Sequence, residues 1–309
     1  MSIQKITQIF ENLSHCTRWS LQLLNGRNVR GEFVYNAHDV VIVTSNAITE
    51  FMKELAIIYT KSKGKLSKYN MVCNYDGSAV ENRIYKIEIV NELICESYEK
   101  LRKAMEKPDM QGNALEFPAT SYVFKGNVPV DGNLAAVKLF TLINPFKVLE
   151  HAFAWNGESF KVLPDKYLLL RKYIDVLMID STAYLFNMNG EKLFNMERAY
   201  KTICRDKVED VICSGIISDE DMFRQYATSG HNPRKFVAFD ENRLQRIRND
   251  EVFKNKMAEK FSIIQTSDGT FDSSIGDNVN RIVKFLCRKG MIDPADENPV
   301  EVEGARRWV

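Results

Sequence analysis

The stretch HAFAWNGESFKVL, residues 151–163, predicts a β-hairpin and gives the first indication of the fold. Apolar side chains alternate with polar ones on both sides of its central Asn-Gly pair, which is typical of strands with one buried face. Asn-Gly favours the tight turn that joins two antiparallel strands. The continuation KYLLLRKYIDVLMIDSTAYLFNMNGEKLF, residues 166–194, predicts further strands. We therefore predict a central antiparallel sheet over residues 120–194.

Similar turn signals occur along the whole chain. Asn-Gly stands at 25/26, 156/157 and 189/190, and Asp-Gly at 76/77, 131/132 and 268/269. Several of these pairs are flanked by β-branched and aromatic residues, so we interpret them as hairpin turns.

Helical patterns precede and follow the predicted sheet. Residues 44–62 and 91–109 have apolar positions at helical spacing, with strands predicted between them. After the sheet, residues 195–215 predict a helix that ends at Gly215, and Ser218 is a candidate cap for the next one. A last helix is predicted over residues 278–290.

These patterns predict an α+β fold: a central antiparallel sheet with an N-terminal α/β layer and a C-terminal cluster of short helices. The segment KPDMQGNALEFPAT, residues 107–120, has the proline, glycine and polar content of a linker. We therefore predict an N-terminal α/β subdomain over 1–112 and a second domain, sheet plus helices, over 115–309.

Composition limits the classes of protein that the chain can be. A length of 309 residues favours two domains or one large one, and 45% apolar residues is a globular value. The net charge is +1, so an anionic partner must be attracted by a local patch. The N-terminus lacks the pattern of a secretory signal, no apolar run could span a bilayer, and the six cysteines are scattered. We expect a cytoplasmic protein with reduced thiols.

Common catalytic and cofactor motifs are missing from the sequence. It has no phosphate-binding or dinucleotide-binding glycine motif, no nucleophile elbow and no H-E-x-x-H. None of the four histidines has ligand spacing to another histidine or to a cysteine. We therefore predict no cofactor, no metal site and no catalytic residue.

A metal-dependent nuclease is the alternative reading. Carboxylates lie on or beside predicted strands, where such an enzyme would place its metal ligands: Asp165, Asp175, Asp180 and Glu191. The nuclease hypothesis rests on the last three of them. The simpler interpretation is that these are strand-end carboxylates that face water.

Clustered cations are the feature that most favours a function. The segment 224–260 holds nine Lys and Arg against five Asp and Glu, and five of the nine are arginine, which suits bidentate contact with phosphate. The loop KSKGKLSK, residues 61–68, carries four lysines and no acid. The predicted nucleic-acid-binding residues are Arg234, Lys235, Arg243, Arg246, Arg248, Lys254, Lys256, Lys61, Lys63 and Lys65.

The stretch 231–256 also has a predicted local structure. Asn232 is a candidate helix cap with Pro233 in the first turn, and a break near Asp240 or Asn242 would keep Arg243 off the apolar face. A structural alternative is that the arginines only pair with nearby carboxylates at i, i+3 and i, i+4 and keep the helices soluble. Those carboxylates are Asp240, Glu241, Asp250, Glu251 and Glu259.

The order of segments over residues 115–300 resembles the KwaB family of the bacterial Kiwa anti-phage system. The similarity is carried by STAYLFNMNGEKLFNMERAY (181–200), GIISDEDMFRQYATSGHNPRKFVAF (215–239) and KFSIIQTSDGTF (260–271). Within it, Asn232, Pro233, Arg234 and Lys235 form the matching turn. The ending NPVEVEGARRWV departs from the helical, lysine-containing end expected of the family, which leaves any partner surface there undefined.

The resemblance implies a cytoplasmic effector that binds phage DNA and restrains its metabolism. It also implies self-association, as a homodimer or higher oligomer, and action at the inner face of the membrane beside a KwaA-like membrane protein. Only Arg234 and Lys235 carry over by position, as cations, and no catalytic residue carries over. Three functions therefore remain: sequence-independent DNA binding, a metal-dependent nuclease, and a regulatory subunit whose basic face binds an acidic protein.

Overall fold

The computed structural model describes residues 2–16, 18–40, 45–80, 82–108, 114–143, 153–155, 160–162, 168–292, 299–301 and 306–307. The chain forms two compact units. Unit 1 comprises Met1–Asn74 and Glu81–Asn195, and unit 2 comprises Tyr75–Val80 and Met196–Val309.

Unit 1 is built on a mixed but mostly antiparallel sheet with the strand order β2-β1-β5-β6-β9-β10-β4-β3. Only the pair β3–β4 is parallel among these neighbours. The eight strands are β1 (Ser20–Val29), β2 (Glu32–Val40), β3 (Met71–Asn74), β4 (Arg83–Glu88), β5 (Ser121–Val130), β6 (Asn133–Thr141), β9 (Val176–Ile179) and β10 (Thr182–Leu185). A separate hairpin is formed by β7 (Phe153–Trp155) and β8 (Phe160–Val162).

Helices cover both faces of this sheet. Because neighbouring side chains of a strand point to opposite faces, Leu21 and Leu23 of β1 enter the cluster that also contains residues of α1 and α2, whereas Gln22 donates a hydrogen bond to the carbonyl of Met105 in α3. The helices of unit 1 are α1 (Ile3–Glu11), α2 (Ser45–Thr60), α3 (Cys95–Glu106) and α4 (Gly190–Leu193), with short 3-10 turns at Leu13–His15, Lys65–Lys68 and Ala114–Glu116.

Unit 2 is a group of mostly short helices around its own apolar core, which includes Phe223, Phe236 and Phe271 at or below 1% exposure. Its helices are α5 (Met196–Cys213), α6 (Glu220–Ala227), α7 (Asn232–Lys235), α8 (Glu241–Asn249), α9 (Glu251–Lys260) and α10 (Gly276–Leu286), with a 3-10 turn at Phe236–Ala238. A small sheet pairs β11 (Gly290–Ile292), β12 (Pro299–Glu301) and β13 (Arg306–Arg307).

The predicted α+β class is confirmed. The chain forms an eight-stranded sheet, helices before and between its strands, and a series of helices after its last strand. The hairpin at 151–163 forms as predicted, with Trp155 opposite Phe160, although its turn lies outside the described residues and its strands are not part of the central sheet. The compact units do not follow the predicted boundary near residue 112, because β1 hydrogen-bonds to β5 and β4 to β10. Strands from before and after residue 112 therefore share one sheet.

The predicted turns give mixed results. Asp131-Gly132 joins β5 to β6 with φ values of 50° and 79°, as a tight hairpin turn requires. Asn25-Gly26 instead lies inside β1, and the chain turns at Arg30-Gly31, where Gly31 takes φ 85°. Asn189-Gly190 opens α4 rather than a hairpin.

The predicted helices form, but the cap of α6 differs from the prediction. Gly215, with φ 72°, follows α5 as expected. Asp219, not Ser218, caps α6, because its side chain accepts the backbone N–H of Met222. Ser218 instead exchanges hydrogen bonds with Ser273.

Among the residues that the structure describes, no helix combines the length and apolar content needed to cross a membrane.

Candidate nucleic-acid interface

The turn Asn232–Lys235 forms α7, a single helical turn in unit 2. Asn232 is not its cap, as the sequence had indicated, because His231 occupies that position and Asn232 lies inside the first turn. The Asn232 side chain is 5% exposed and donates through Nδ2 to the carbonyl of Tyr226, at 3.1 Å, and to Oδ1 of Asn280, at 2.8 Å. Its Oδ1 accepts from Nζ of Lys235 at 2.8 Å.

Arg234 points to the segment 75–80 of the same unit. Its Nε donates to the hydroxyl of Tyr75 at 3.2 Å, and an Nη2 group reaches the carbonyl of Ser78 at 3.5 Å. Gly77 has φ 78°, and a Cβ there would collide with the carbonyl oxygen of Arg234. This close approach requires glycine. Arg234 therefore holds the segment in place, and the residue is half-buried.

A buried lysine fixes the same segment from another side. Lys289 is 4% exposed, and its Nζ donates to the carbonyl of Asp76 at 3.0 Å and to the hydroxyl of Ser78 at 2.9 Å. The Asp76 carboxylate lies 3.4 Å from the same ammonium. Burial alone would raise the pKa of Asp76, but hydrogen bonds with Ser78 and the charge of Lys289 outweigh it and lower the pKa.

The predicted break in the cationic stretch occurs at Asp240. Its carboxylate accepts the N–H of Arg243 at 3.1 Å and caps α8. A second break occurs at Asp250, which accepts the N–H of Phe253 at 2.8 Å and caps α9. The stretch is therefore a series of short helices, as predicted from the need to keep Arg243 off the apolar face.

Arg243 and Lys254 are engaged with their own unit. Arg243 donates to the carbonyl of Phe285, its guanidinium lies 4.8 Å from the centre of that ring, and its side chain is 23% exposed. Burial lowers the pKa of Arg243. Lys254 is 14% exposed and lies 3.8 Å from Glu251. Arg243 also lies 3.8 Å from the carboxylate of Asp240. Both cations therefore pair with a carboxylate three positions before them, as the structural alternative predicts.

Three of the predicted cations in the stretch 231–256 are exposed: Arg246 and Arg248 on α8 and Lys256 on α9. In the part of the chain that the structure describes, no carboxylate lies within 4.0 Å of their charged nitrogens. The guanidinium of Arg246 lies 3.8 Å from the centre of the Phe253 ring. Stacking of this kind holds the plane of the group but leaves its N–H edges able to donate. We call these three residues the α8–α9 cations.

The lysines at 61–68 belong to unit 1, whereas the α8–α9 cations belong to unit 2. Residues 65–68 form a 3-10 turn rather than a loop. Lys65 donates to the carbonyl of Lys172 at 2.5 Å and lies 4.6 Å from the ring centre of Tyr173, and burial, together with the charge of Lys68, lowers its pKa. Lys61 and Lys63 are exposed.

The carboxylates of the nuclease hypothesis have different environments. Asp175 is 1% exposed and its Oδ2 accepts the N–H of Leu142 at 2.7 Å, while burial raises its pKa. Asp180 is exposed in the β9–β10 turn with φ 51°, and Glu191 lies in α4. Asp165 lies outside the described residues. Over the described ranges, no group of three or more His, Cys, Asp or Glu side chains is arranged to hold a metal ion.

A polar cleft of about 540 Å³ in unit 2 contains further cations. It brings Lys235 together with Arg281 and Lys284 of α10. Charge clustering in the sequence does not reveal either residue, because both lie 25 or more positions beyond Lys256, the end of the cationic stretch. The two cations are three positions apart, and this spacing indicates only that they lie on the polar side of an amphipathic helix.

Comparison with known proteins bears on the same residues. A family model described as "Kiwa protein KwaB-like" matches residues 130–288, which include α7, α8, α9 and α10. A search of curated proteins gives no match.

Proposed function

The chain belongs to the KwaB-like family of the Kiwa anti-phage defence system, and on that premise we propose that it is a non-enzymatic effector that binds DNA largely without regard to sequence. Fold alone does not define this role, so the proposal depends on what the exposed side chains can bind.

The observation that carries the proposal is the set of α8–α9 cations. Two arginines and a lysine on successive helices are exposed and have no ion-pair partner among the described residues. Each contact with a DNA phosphate would release condensed counterions, which gives favourable and salt-sensitive binding that does not depend on base identity. The other predicted cations on these helices, Arg243 and Lys254, contribute to the helix packing and only indirectly to binding.

The nuclease alternative receives less support from the side chains. Burial raises the pKa of Asp175, and its Oδ2 already accepts a backbone hydrogen bond. Asp175 therefore suits a structural role at the end of β6 better than the role of metal ligand.

We also propose, from family membership, that the protein self-associates and acts in the cytoplasm with a KwaA-like membrane protein. The competing proposal is a regulatory subunit whose basic surface binds an acidic protein. A competition experiment distinguishes the two proposals. If the protein binds DNA with a steep salt dependence and the acidic protein does not compete with DNA, the α8–α9 cations bind DNA and not that partner.

The test is the affinity for a short fluorescent duplex, measured for the wild type and for Arg246→Gln/Arg248→Gln/Lys256→Gln. We expect the substitutions to weaken binding roughly tenfold or more at moderate salt, because three phosphate contacts are lost. Two duplexes of unrelated sequence should bind with equal affinity. The duplex should remain intact with Mg²⁺ present.

The matched control removes three positive charges from α5 of the same unit: Arg198→Gln/Lys201→Gln/Arg205→Gln. This control should keep its affinity. An equal loss in both variants would show that only net charge matters, and an unchanged affinity in the α8–α9 variant would refute the proposed surface. Degradation of the duplex that requires Mg²⁺ and is lost in Asp180→Asn would favour the nuclease instead.

A further inference from the structure

A second cleft, of about 410 Å³, lies in unit 1 beside the edge strand β2. Its walls come from β1 and β2, from the end of α3 and from residues 117–118. The volume lies in the range of small-ligand sites, roughly 300 to 1,000 Å³. We call it the β1–β2 cleft, and the residues that matter for a ligand are Asn25, Arg27, Tyr35, Asn36, Lys107 and Phe117.

Asn25 is a buried polar residue of this cleft whose side chain has no partner. It is 4% exposed, and its amide makes no hydrogen bond with any residue that the structure describes. In that part of the chain the one fully enclosed side-chain polar atom without a partner is Oε1 of Gln22, so the amide atoms of Asn25 keep some access to the cleft. Buried amides are normally hydrogen-bonded. An unused donor and acceptor on the cleft wall therefore indicate a ligand that supplies both partners.

Two aromatic rings of the cleft are fixed by contacts of their own. Phe117 stacks on His38, with ring centres 5.7 Å apart and 28° between the planes. Tyr35 donates from its hydroxyl to the carbonyl of Leu193 at 2.6 Å and packs edge-on against Phe33, with ring centres 5.0 Å apart. Rings held in this way offer a preformed surface on which a planar ligand can stack.

The charged residues that line the cleft are cations. Arg27 and Lys107 are exposed, and over the described ranges no carboxylate lies within 4.0 Å of their charged nitrogens. Glu32 and Glu106, which lie close to them in the sequence, are paired with other cations. None of the described residues that line the cleft is acidic. A guanidinium and an ammonium placed together suit the oxygens of a phosphate.

We propose that the β1–β2 cleft binds an adenine nucleotide, either free or as one unit of a single strand. Adenine presents the acceptor N7 next to the donor N6, and an asparagine amide matches this pair with two hydrogen bonds. With Asn25 in that role, the base stacks on Phe117 and the phosphate lies at Arg27 and Lys107. Asn36 is opposite Asn25 in the strand register, so it adds a second amide on the same face of the sheet. The site does not rest on the proposed binding of DNA by the α8–α9 cations.

The first experiment is calorimetric titration of the 309-residue chain with AMP, adenosine and CMP. AMP should bind about tenfold more tightly than adenosine, because charge-assisted hydrogen bonds to the phosphate are added. It should also bind about tenfold more tightly than CMP, whose base lacks the N7 and N6 pair. Equal binding of AMP and CMP would overturn the proposal.

Arg27→Gln/Lys107→Gln separates the phosphate contacts from the base contacts. This variant should bind adenosine as the wild type does and should lose the preference for AMP over adenosine. The matched control, Arg30→Gln/Lys103→Gln, removes two exposed cations of the same hairpin and helix that do not line the cleft, and it should keep the preference. A preference that survives in Arg27→Gln/Lys107→Gln would overturn the cleft as the phosphate site.

A near-isosteric variant tests the base contact. Asn25→Asp keeps the size of the side chain but replaces the donor Nδ2 with a carboxylate oxygen, so binding of both AMP and adenosine should be lost. A melting temperature close to that of the wild type would show that the variant is folded, and unchanged AMP binding by the folded variant would contradict the proposal. The comparison of AMP with CMP tests the same contact in the wild type and does not depend on this variant.

Short fluorescent strands of deoxyadenosine and of deoxycytidine distinguish the two sources of the nucleotide. They are measured in Arg246→Gln/Arg248→Gln/Lys256→Gln, so that the result is independent of the proposed DNA surface. A preference for the adenine strand that Arg27→Gln/Lys107→Gln removes would assign the cleft to single strands. AMP binding with no difference between the strands would assign it to free nucleotides. No AMP binding together with equal binding of the two strands would refute the proposal.

Discussion

Lys289 shows how a single buried side chain connects distant parts of the chain. It joins Asp76 and Ser78 to the end of α10, over two hundred positions away in sequence but within one compact unit. A buried ammonium is tolerated only when it is paired and hydrogen-bonded, and here both conditions are met.

Replacement of this lysine should destabilise unit 2. In Lys289→Met the Asp76 carboxylate loses its cation and Ser78 loses a hydrogen bond, so we expect the free energy of unfolding to fall by about 2 kcal/mol. Urea unfolding followed by circular dichroism measures the change. Lys256→Met, an exposed control on α9, should change stability by less than about 0.5 kcal/mol. Equal stability of the two variants would contradict the assigned role of Lys289.

The sequence shows that the stretch 231–256 is rich in cations, but it does not show which of these side chains are exposed. Counting charges groups Arg234 and Arg243 with Arg246 and Arg248, although the first two donate to Tyr75 and to the Phe285 carbonyl. Those partners lie outside the stretch, so no local pattern reveals them. Only the tertiary packing separates cations that hold the unit together from cations that face water.

At the scale of helices, Asp240 determines where the cationic stretch bends. It caps α8 and also accepts a 2.8 Å hydrogen bond from Nε of Arg288. The Arg288 bond is the main cause that holds the pKa of Asp240 below its usual value, and the N–H of Arg243 acts in the same direction. The carboxylate therefore stabilises the fold in its ionised form.

Asp240→Asn should make unfolding less dependent on pH. Asparagine is also a good helix cap, so the change mainly removes the charge. A lowered folded-state pKa gives stability that is present above the unfolded pKa, about 3.9, and is lost as pH falls through the folded value. The variant should therefore melt a few degrees below wild type at pH 7 and approach it below about pH 4.

The measurement is the melting temperature from pH 7 down to pH 2.5, with Asp250→Asn as the matched change at the next helix cap. A difference between wild type and Asp240→Asn that stays constant over this range would show that the charge of Asp240 does not stabilise the fold.

Among the elements, those with a strong local signal could be predicted. The helix pattern of residues 44–62 corresponds to α2, and Asp131-Gly132 makes the turn it indicates. Turn dipeptides fail where the surroundings decide otherwise. Asn25-Gly26 continues a strand because the two residues pair with Asn36 and Tyr35 of β2, and the tight turn falls on Arg30-Gly31 instead.

At the scale of the whole molecule, the order of strands explains why the domain boundary could not be predicted. The sheet places β5 beside β1 and β4 beside β10, and the residues paired in these two contacts are between 94 and 105 positions apart in the chain. The linker-like composition of residues 107–120 indicates a connection but not whether it joins two domains or two strands of one sheet. The short segment Tyr75–Val80, which groups with the second unit, has no sequence signal beyond Asp-Gly.

The central claim is that the α8–α9 cations bind DNA through its phosphates, and the salt dependence of binding tests it most directly. The slope of log K against log salt falls by about 0.9 for each phosphate contact. We predict a steeply negative slope for the wild type and the α5 control. For Arg246→Gln/Arg248→Gln/Lys256→Gln we predict a negative slope whose magnitude is smaller by about 2 to 3. An unchanged slope in that variant, or a wild-type slope near zero, would contradict the claim.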